Sequence, residues 1–458
     1  MGYRTVFLIF QLKNQKNKIP LAAVALLKKN TMKQISRKTA KLLLISLSAL
    51  LSHACVRVGQ PNIQWWEPAP EQAGQITVNS CCNEQPSYQP DTLYPAHQPP
   101  RIVRINVHWL NNSQRTANLD DWRAVNYTRG MIHAANYAMA NNRAMWLPYR
   151  NTTPVLPIGI QYELTGRPGD PNDDGIYFHY DDGLYEYIHV GKPNANFASR
   201  AVVDSFGVQL DTVLNLFIMP YHVDSTFSPT FKGGIVGVAL GNAIKIAGPW
   251  LRLWGENEES YWQSRGAINH EVGHIYGLSH AWNTEDGCAD TPRHKLSCFN
   301  RDGTPACDTL ASNNIMDYCA LQVAWTPCQI GKVHQRMSNF YAPARKLLKP
   351  VWCELQPEKH IFITDTVVWT GAKDLQGHVT VRPGGRLHIK CRVSLPPSGR
   401  LTIEAGGVLV LDNAHLHSAC EQPWQGVAMI QREGRWGQIV VNGKVLMQNY
   451  VLPTDHPK

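Results

Sequence analysis

Apolar residues recur with two different periods along this chain, and the change of period divides it. Residues 101–109, Arg-Ile-Val-Arg-Ile-Asn-Val-His-Trp, alternate as a half-buried strand does. A helix is predicted from about Asp120 to Ala140, with Trp122, Val125, Met131 and Ala135 along one face. Further strands are predicted at 155–163, 175–180, 212–220 and 234–240, the last reading Gly-Ile-Val-Gly-Val-Ala-Leu. Thr326 suits an N-cap, and Pro327 suits the first turn of a helix whose apolar face carries Ile330, Val333, Met337 and Phe340. From about residue 359 the texture changes to short strands between Gly turns. There Val379-Thr-Val-Arg-Pro-Gly-Gly-Arg-Leu-His-Ile aligns with Leu401-Thr-Ile-Glu-Ala-Gly-Gly-Val-Leu-Val-Leu, 22 residues on, and Trp424-Gln-Gly-Val starts like another copy. That period suits one turn of a parallel β-solenoid, each rung stacking apolar positions on the next. A small β-sandwich is the alternative. The pattern therefore predicts an α+β domain over 101–350 and a small all-β repeat module over 359–458.

Between these patterned regions lies His270-Glu-Val-Gly-His-Ile-Tyr-Gly-Leu-Ser-His280. On a helix, His270 and His274 sit four residues apart, so both imidazoles project from one face. Glu271 lies beside them, placed to act as general base toward a zinc-bound water. Gly277 can adopt a left-handed conformation and end the helix, and His280 can then reach the same ion. Three protein ligands leave the fourth zinc position open, which marks a catalytic site rather than a structural one. Five such fixed positions should coincide by chance in roughly one chain in 10⁵. A bare pair of histidines at that spacing would be far weaker.

Downstream, residues 313–318 read Asn-Asn-Ile-Met-Asp-Tyr. Alone, Met316 would be an ordinary core methionine. After the long histidine motif it looks like the Met-turn of the metzincins, which lies beneath the metal. The run HEVGHIYGLSH, then Asp290-Thr291-Pro292, then NNIMDY, then WTPCQIGKVHQRM together resemble the pappalysin family of metzincins. The resemblance is close from about residue 260 to 340 and extends more loosely back to about 101. It does not cover the last hundred residues. Ile275-Tyr276 and Trp325 depart from the usual family residues, but neither touches a ligand position. The resemblance implies a metzincin-type fold (a mixed twisted sheet, zinc helix, Met-turn and C-terminal helix) and a zinc endopeptidase. It also implies that an edge strand holds an extended substrate over the metal and that Tyr318 hydrogen-bonds the tetrahedral oxyanion; the bland reading of Tyr318 is a packed tyrosine.

Charge redirects attention to the leader. The 458-residue chain has a formal net charge of +9, yet residues 1–54 hold ten Lys or Arg and no Asp or Glu. The remainder has 34 basic against 35 acidic residues, so a nucleic-acid partner loses its main support. From Met32 a basic stretch precedes an apolar run, Leu42 to Leu51, and then Ser-His-Ala-Cys. This is signal-peptide order, and the apolar run is too short for a comfortable membrane span. Residues 1–55 are thus expected to be a leader, with Met32 a candidate true start. Cys55 follows Leu-Ser-His-Ala, resembling a bacterial lipoprotein box, so it is a candidate lipid anchor. The expected location is exported: secreted, or in the cell envelope as an outer-membrane lipoprotein.

Eleven cysteines also fit export. Cys288, Cys298, Cys307, Cys319 and Cys328 cluster around the motif, and an alternating pairing, Cys288 with Cys307 and Cys298 with Cys328, is the expectation; a second zinc site is the alternative. Residues 56–100, rich in Pro, Gln and Asn, read as a linker or pro-segment. Cys81-Cys82 within it is a candidate latency ligand for the zinc, or else a disulfide partner or a bystander. Asp170, Asn172, Asp174 and Asp181 have the spacing of a Ca2+ loop, though a polar turn explains the same letters. Asp286 to Asp290 is a vaguer Ca2+ candidate. His378, His388, His415 and His417 share no zinc motif. The expected partner is a protein or peptide substrate. Two rivals stand beside the peptidase: a surface adhesin with an idle metzincin-like domain, and metal-dependent hydrolysis of a non-peptide bond.

Overall fold

The structure is a computed structural model that describes residues 61–74, 84–116, 118–147, 152–188, 192–222, 224, 235–249, 258–281, 286–291, 312–318 and 321–453. All of these belong to one compact unit, Pro61–Lys458. The leader, Cys55 and Cys81-Cys82 lie outside the described residues.

Described parts of the segment expected as a linker or pro-segment pack against the rest of the chain. Its strand β1 (Asn62–Trp66) pairs antiparallel with residues 427–431 of the C-terminal module, Trp65 opposite Ala428. Ala73 bridges Val445, and Lys444 Nζ donates to the Glu71 carbonyl at 2.6 Å. Farther on, Tyr88 packs with Ala372 and Cys391. The Gln98 amide hydrogen-bonds to the Tyr88 carbonyl and lies 3.2 Å from His334 Nδ1. Pairing through the backbone at a sheet edge needs no apolar period, so composition alone gave no sign of it.

A mixed sheet follows: β2 (Arg101–Asn111), β3 (Ile160–Leu164), β4 (Ile176–Tyr180), β5 (Leu214–Met219), β6 (Val236–Ala239) and β7 (Ala243–Ala247). The order is β3-β2-β5-β7-β6, with β4 also on β2, and only β6 runs antiparallel to its neighbour. Helix α1 (Trp122–Ala140) covers one face; the Asp121 carboxylate caps it by accepting from the Arg123 N–H. Its buried line runs through Ala124, Tyr127, Met131, Ala135 and Ala138. Trp122 was expected on that face but is 63% exposed, because nine residues separate it from Met131, half a turn out of phase. Trp109 Nε1 donates to Thr128 Oγ1 at 2.9 Å, and Asn136 holds both backbone groups of Tyr162, so α1 is locked to β2 and β3. Strand β7 and helix α2 (Ala201–Phe206) were not foreseen.

Helix α3 (Ser264–Ile275) carries the histidine motif, and α4 (Pro327–Ser338) closes the domain. Thr326 caps α4 in a full capping box with Gln329, and Pro327 occupies the first turn as expected. Phe340 does not join its apolar face: the helix ends at Ser338 and Phe340 is exposed.

The C-terminal module is a stack of short parallel strands: β8 (Ile361–Ile363), β9 (Thr366–Trp369), β10 (Lys373–Asp374), β11 (Val379–Val381), β12 (Arg386–Ile389), β13 (Arg392–Ser394), β14 (Leu401–Ile403), β15 (Val408–His417) and β16 (Val427–Arg432), then β17 (Arg435–Trp436) and β18 (Gln438–Gln448). The two copies of the repeat lie in register, Val379 opposite Leu401 and Leu387 opposite Leu409. Val427 continues the stack above Leu401, and Trp424, just before it, is fully buried. The Gly pairs have two distinct uses. Gly384 sits at φ +84°, open to glycine, whereas a Cβ on Gly385 would meet the Ile363 carbonyl of the rung below at 2.2 Å. Cys353–Cys420 ties the strand stack to the segment that follows α4.

One buried carboxylate joins the two halves. Asp374 on β10 takes Arg101 of β2 at 2.9 Å, Arg345 at 2.9 Å and Arg392 of β13 at 2.6 Å, and its side chain is fully buried. Burial pushes its carboxyl up, but the Arg392, Arg345 and Arg101 charges outweigh this and hold it well below the usual carboxylate range. Asp374→Asn strands three guanidiniums and should cost about 3–5 kcal/mol in chemical denaturation. The folded carboxyl is the stronger acid, so its contribution is complete above about pH 4 and fades as pH falls through its own lower pKa. The parent's acid sensitivity below that point should shrink in the variant.

Candidate metal centre

Gly277, at φ +90°, turns the chain out of α3 and brings His280 back over the helix. Nε2 of His274 then lies 3.1 Å from Nε2 of His270 and 3.2 Å from Nε2 of His280. Two nitrogens at Zn–N bond length in a tetrahedron are about 3.3 Å apart. The three rings therefore present their ligand atoms at the spacing one ion requires, and they form a candidate ligand group.

The opposite nitrogens fix the rings. His270 Nδ1 lies 2.7 Å from the Ile315 carbonyl and His274 Nδ1 lies 2.8 Å from the Leu278 carbonyl. A carbonyl can only accept, so each Nδ1 carries the proton and each Nε2 offers its lone pair. Burial lowers all three pKa values, to about 3 for His270 and about 4 for His280, so the imidazoles are neutral and need release no proton to a metal. The residues fit a zinc ion.

Met316 is fully buried. Its sulfur would stand 2.6 Å from a Cβ on Gly273, so the turn packs against bare helix backbone. Asn314 accepts from the Met316 N–H at 2.8 Å. The Asn314 and Gln329 side-chain amides exchange two hydrogen bonds, at 2.9 and 3.0 Å, joining the turn to the α4 cap. Neither residue was foreseen as part of the site. The Tyr318 ring lies 4.7 Å from that of His280 and 5.8 Å from that of His270, and is half exposed. Burial raises its pKa, with the Glu271 charge a lesser cause.

Glu271 is 5% exposed. Burial raises its carboxyl to about 8, while a hydrogen bond from the Ala239 N–H works against this. The site thus pairs neutral nitrogens with one buried carboxyl backed by the sheet edge.

The other candidates do not converge. Asp170 accepts from the Asn172 N–H, Asp173 pairs with Arg167, Asp174 with Arg129, and Asp181 caps Gly183 and Leu184. These carboxylates serve turns and ion pairs, and among the described residues they form no ligand group. Cys288, Asp290 and Cys328 do gather, but the two sulfurs are joined in a disulfide. The Cys288–Cys328 bond overturns the pairing of Cys288 with Cys307 and Cys298 with Cys328. The Asp290 carboxylate accepts from the Cys328 N–H at 3.0 Å, and this seats the α4 start against the loop that carries Cys288. Cys298, Cys307 and Cys319 lie outside the described residues. His388 faces Asp412, His415 stacks on His417, and His378 accepts from the Arg400 N–H; none joins a ligand group among the described residues.

No protein-family profile matches the chain, and no curated protein matches it. Among solved structures it is similar to mirolysin in complex with a compound, at 18% identity and TM-score 0.36, covering 55% of this chain and 96% of that one. It is also similar to mature mirolysin of Tannerella forsythia with a cleaved peptide, at 19% identity and TM-score 0.35, covering 54% and 94%. A promirolysin mutant from the same organism gives 18% identity and TM-score 0.35, covering 54% and 84%.

Gly273→Ala should force Met316 aside at a cost of about 1–3 kcal/mol, measured by thermal or denaturant unfolding. His280→Ala should drop bound zinc, measured by elemental analysis after dialysis, well below the one ion per chain expected of the parent.

Proposed function

We propose that the chain is an exported zinc endopeptidase of metzincin, pappalysin-like type, with a β-solenoid as its C-terminal module. The observation that carries this reading is the convergence of three neutral Nε2 atoms beside a buried carboxyl and the strand that ends the sheet among the described residues. Zinc bound there supplies Lewis acidity and lowers the pKa of water toward neutrality.

The chain's own residues divide the remaining work. Glu271 takes the proton of the attacking water and delivers it to the leaving amine. The Tyr318 hydroxyl donates a hydrogen bond to the oxygen that gains charge at the scissile carbon. Strand β6 supplies the rail. Leu240 N–H bonds to the Ala243 carbonyl at 2.7 Å, so by the antiparallel alternation Val236 and Val238 also face β7. The backbone groups of Gly237 and Ala239 point outward. Ala239 N–H serves Glu271, and Gly237 is placed to pair with an extended peptide. The apolar leader and the cysteine content support export, with Cys55 the proposed lipid anchor.

The test is cleavage of a mixed peptide library by the parent and by Glu271→Gln, with zinc measured in both. Both should hold one zinc, and the variant should turn over about 10²–10⁴-fold more slowly. Zinc in both with no cleavage by either would instead favour the adhesin-like role.

A further inference from the structure

One face of β6 is small. Val236, Val238 and Leu240 pack against the apolar cluster built on Phe217, Met219, Val203 and Ala247. Side chains alternate along a strand, so Gly237 and Ala239 face the other way, toward α3. A Cβ on Gly237 would stand 2.7 Å from both Cγ and Oε1 of Glu271. Non-bonded carbons settle at about 3.5–4.0 Å, so any side chain here must displace the carboxylate. The backbone does not demand glycine, because Gly237 is not among the residues at positive φ. Space is what its missing side chain provides. Two residues on, the Ala239 N–H hydrogen-bonds to the same carboxylate.

We propose that Gly237 is a positioning residue for Glu271: its bare Cα lets the carboxylate lie against the edge strand, held by the Ala239 N–H. The kinetic consequence rests on the peptidase reading, while the geometry does not. Edge and base are thereby coupled. The strand that aligns an extended peptide also sets where the proton acceptor stands. Displacing a catalytic group by about 1 Å can cost 10²-fold in rate, even when nothing that binds substrate has changed.

The experiment compares the parent with Gly237→Ala, Glu271→Asp and the double variant. Asp is one methylene shorter and can retreat from the added methyl. Gly237→Ala should lower kcat about 100-fold while zinc stays at one per chain and KM stays within about threefold. Glu271→Asp alone should be slower than the parent, yet in the Gly237→Ala background it should restore about tenfold, a rescue that a merely structural role would not give. The Ala239 amide proton should lie downfield in the parent and move upfield in both Glu271→Gln and Gly237→Ala. Activity of Gly237→Ala within about twofold of the parent, or losses that simply multiply in the double variant, would overturn the proposal. A parent that cuts nothing would sink the peptidase reading alone. The Ala239 resonance would then decide: a shift in Gly237→Ala supports the positioning, and an unchanged resonance overturns it.

Discussion

Three imidazole nitrogens, two of them within 3.2 Å of the third, do not hold themselves there. Each ring must be turned, and its proton must be kept on the far side. The Ile315 and Leu278 carbonyls do this for His270 and His274, so the centre depends on where two loops place their backbone. Leu278 is fixed by the Gly277 turn, and its N–H bonds to the Gly273 carbonyl at 2.9 Å. Ile315 is fixed by the Asn314–Gln329 pair and by Met316 packed on Gly273. The candidate metal centre is therefore a property of the α3–turn–α4 assembly, not of one helix.

That assembly is itself held from outside. Helix α4 receives Gln98 at His334 and the Cys288–Cys328 bond at its first turn. Its last turn offers Ser338, whose hydroxyl accepts from Arg101 and whose carbonyl accepts from Arg392. Both guanidiniums also grip Asp374, so the β-repeat module braces the helix beneath the centre. The N-terminal segment crosses both halves, pairing with β16 by its backbone and packing near α4 by Gln98. Buried charge at such a seam adds little net stability when complete and costs heavily when broken.

What could be read from the sequence was local. The histidine motif lies within eleven consecutive residues, so its geometry follows from helix spacing and one glycine. The 22-residue repeat was legible because stacked rungs repeat both apolar positions and Gly corners. Contacts between distant segments were not legible. The disulfide depended on where the start of α4 meets the Asp290 loop, which spacing does not encode. Strand β7 was hidden by Lys245, whose buried ammonium donates to the Asn196 and Ser199 carbonyls. Trp122 and Phe340 fit a helical face only if the helix bounds and phase are guessed. The run at 234–240 read correctly as a strand, but which of its faces would need to be small became visible only once Glu271 stood beside it.

X-ray absorption at the zinc edge tests the central claim most directly. The account predicts three imidazole nitrogens and one light oxygen neighbour, all near 2.0–2.1 Å. A sulfur shell near 2.3 Å, or fewer than three imidazoles, would contradict a centre built from His270, His274 and His280 with its fourth position open.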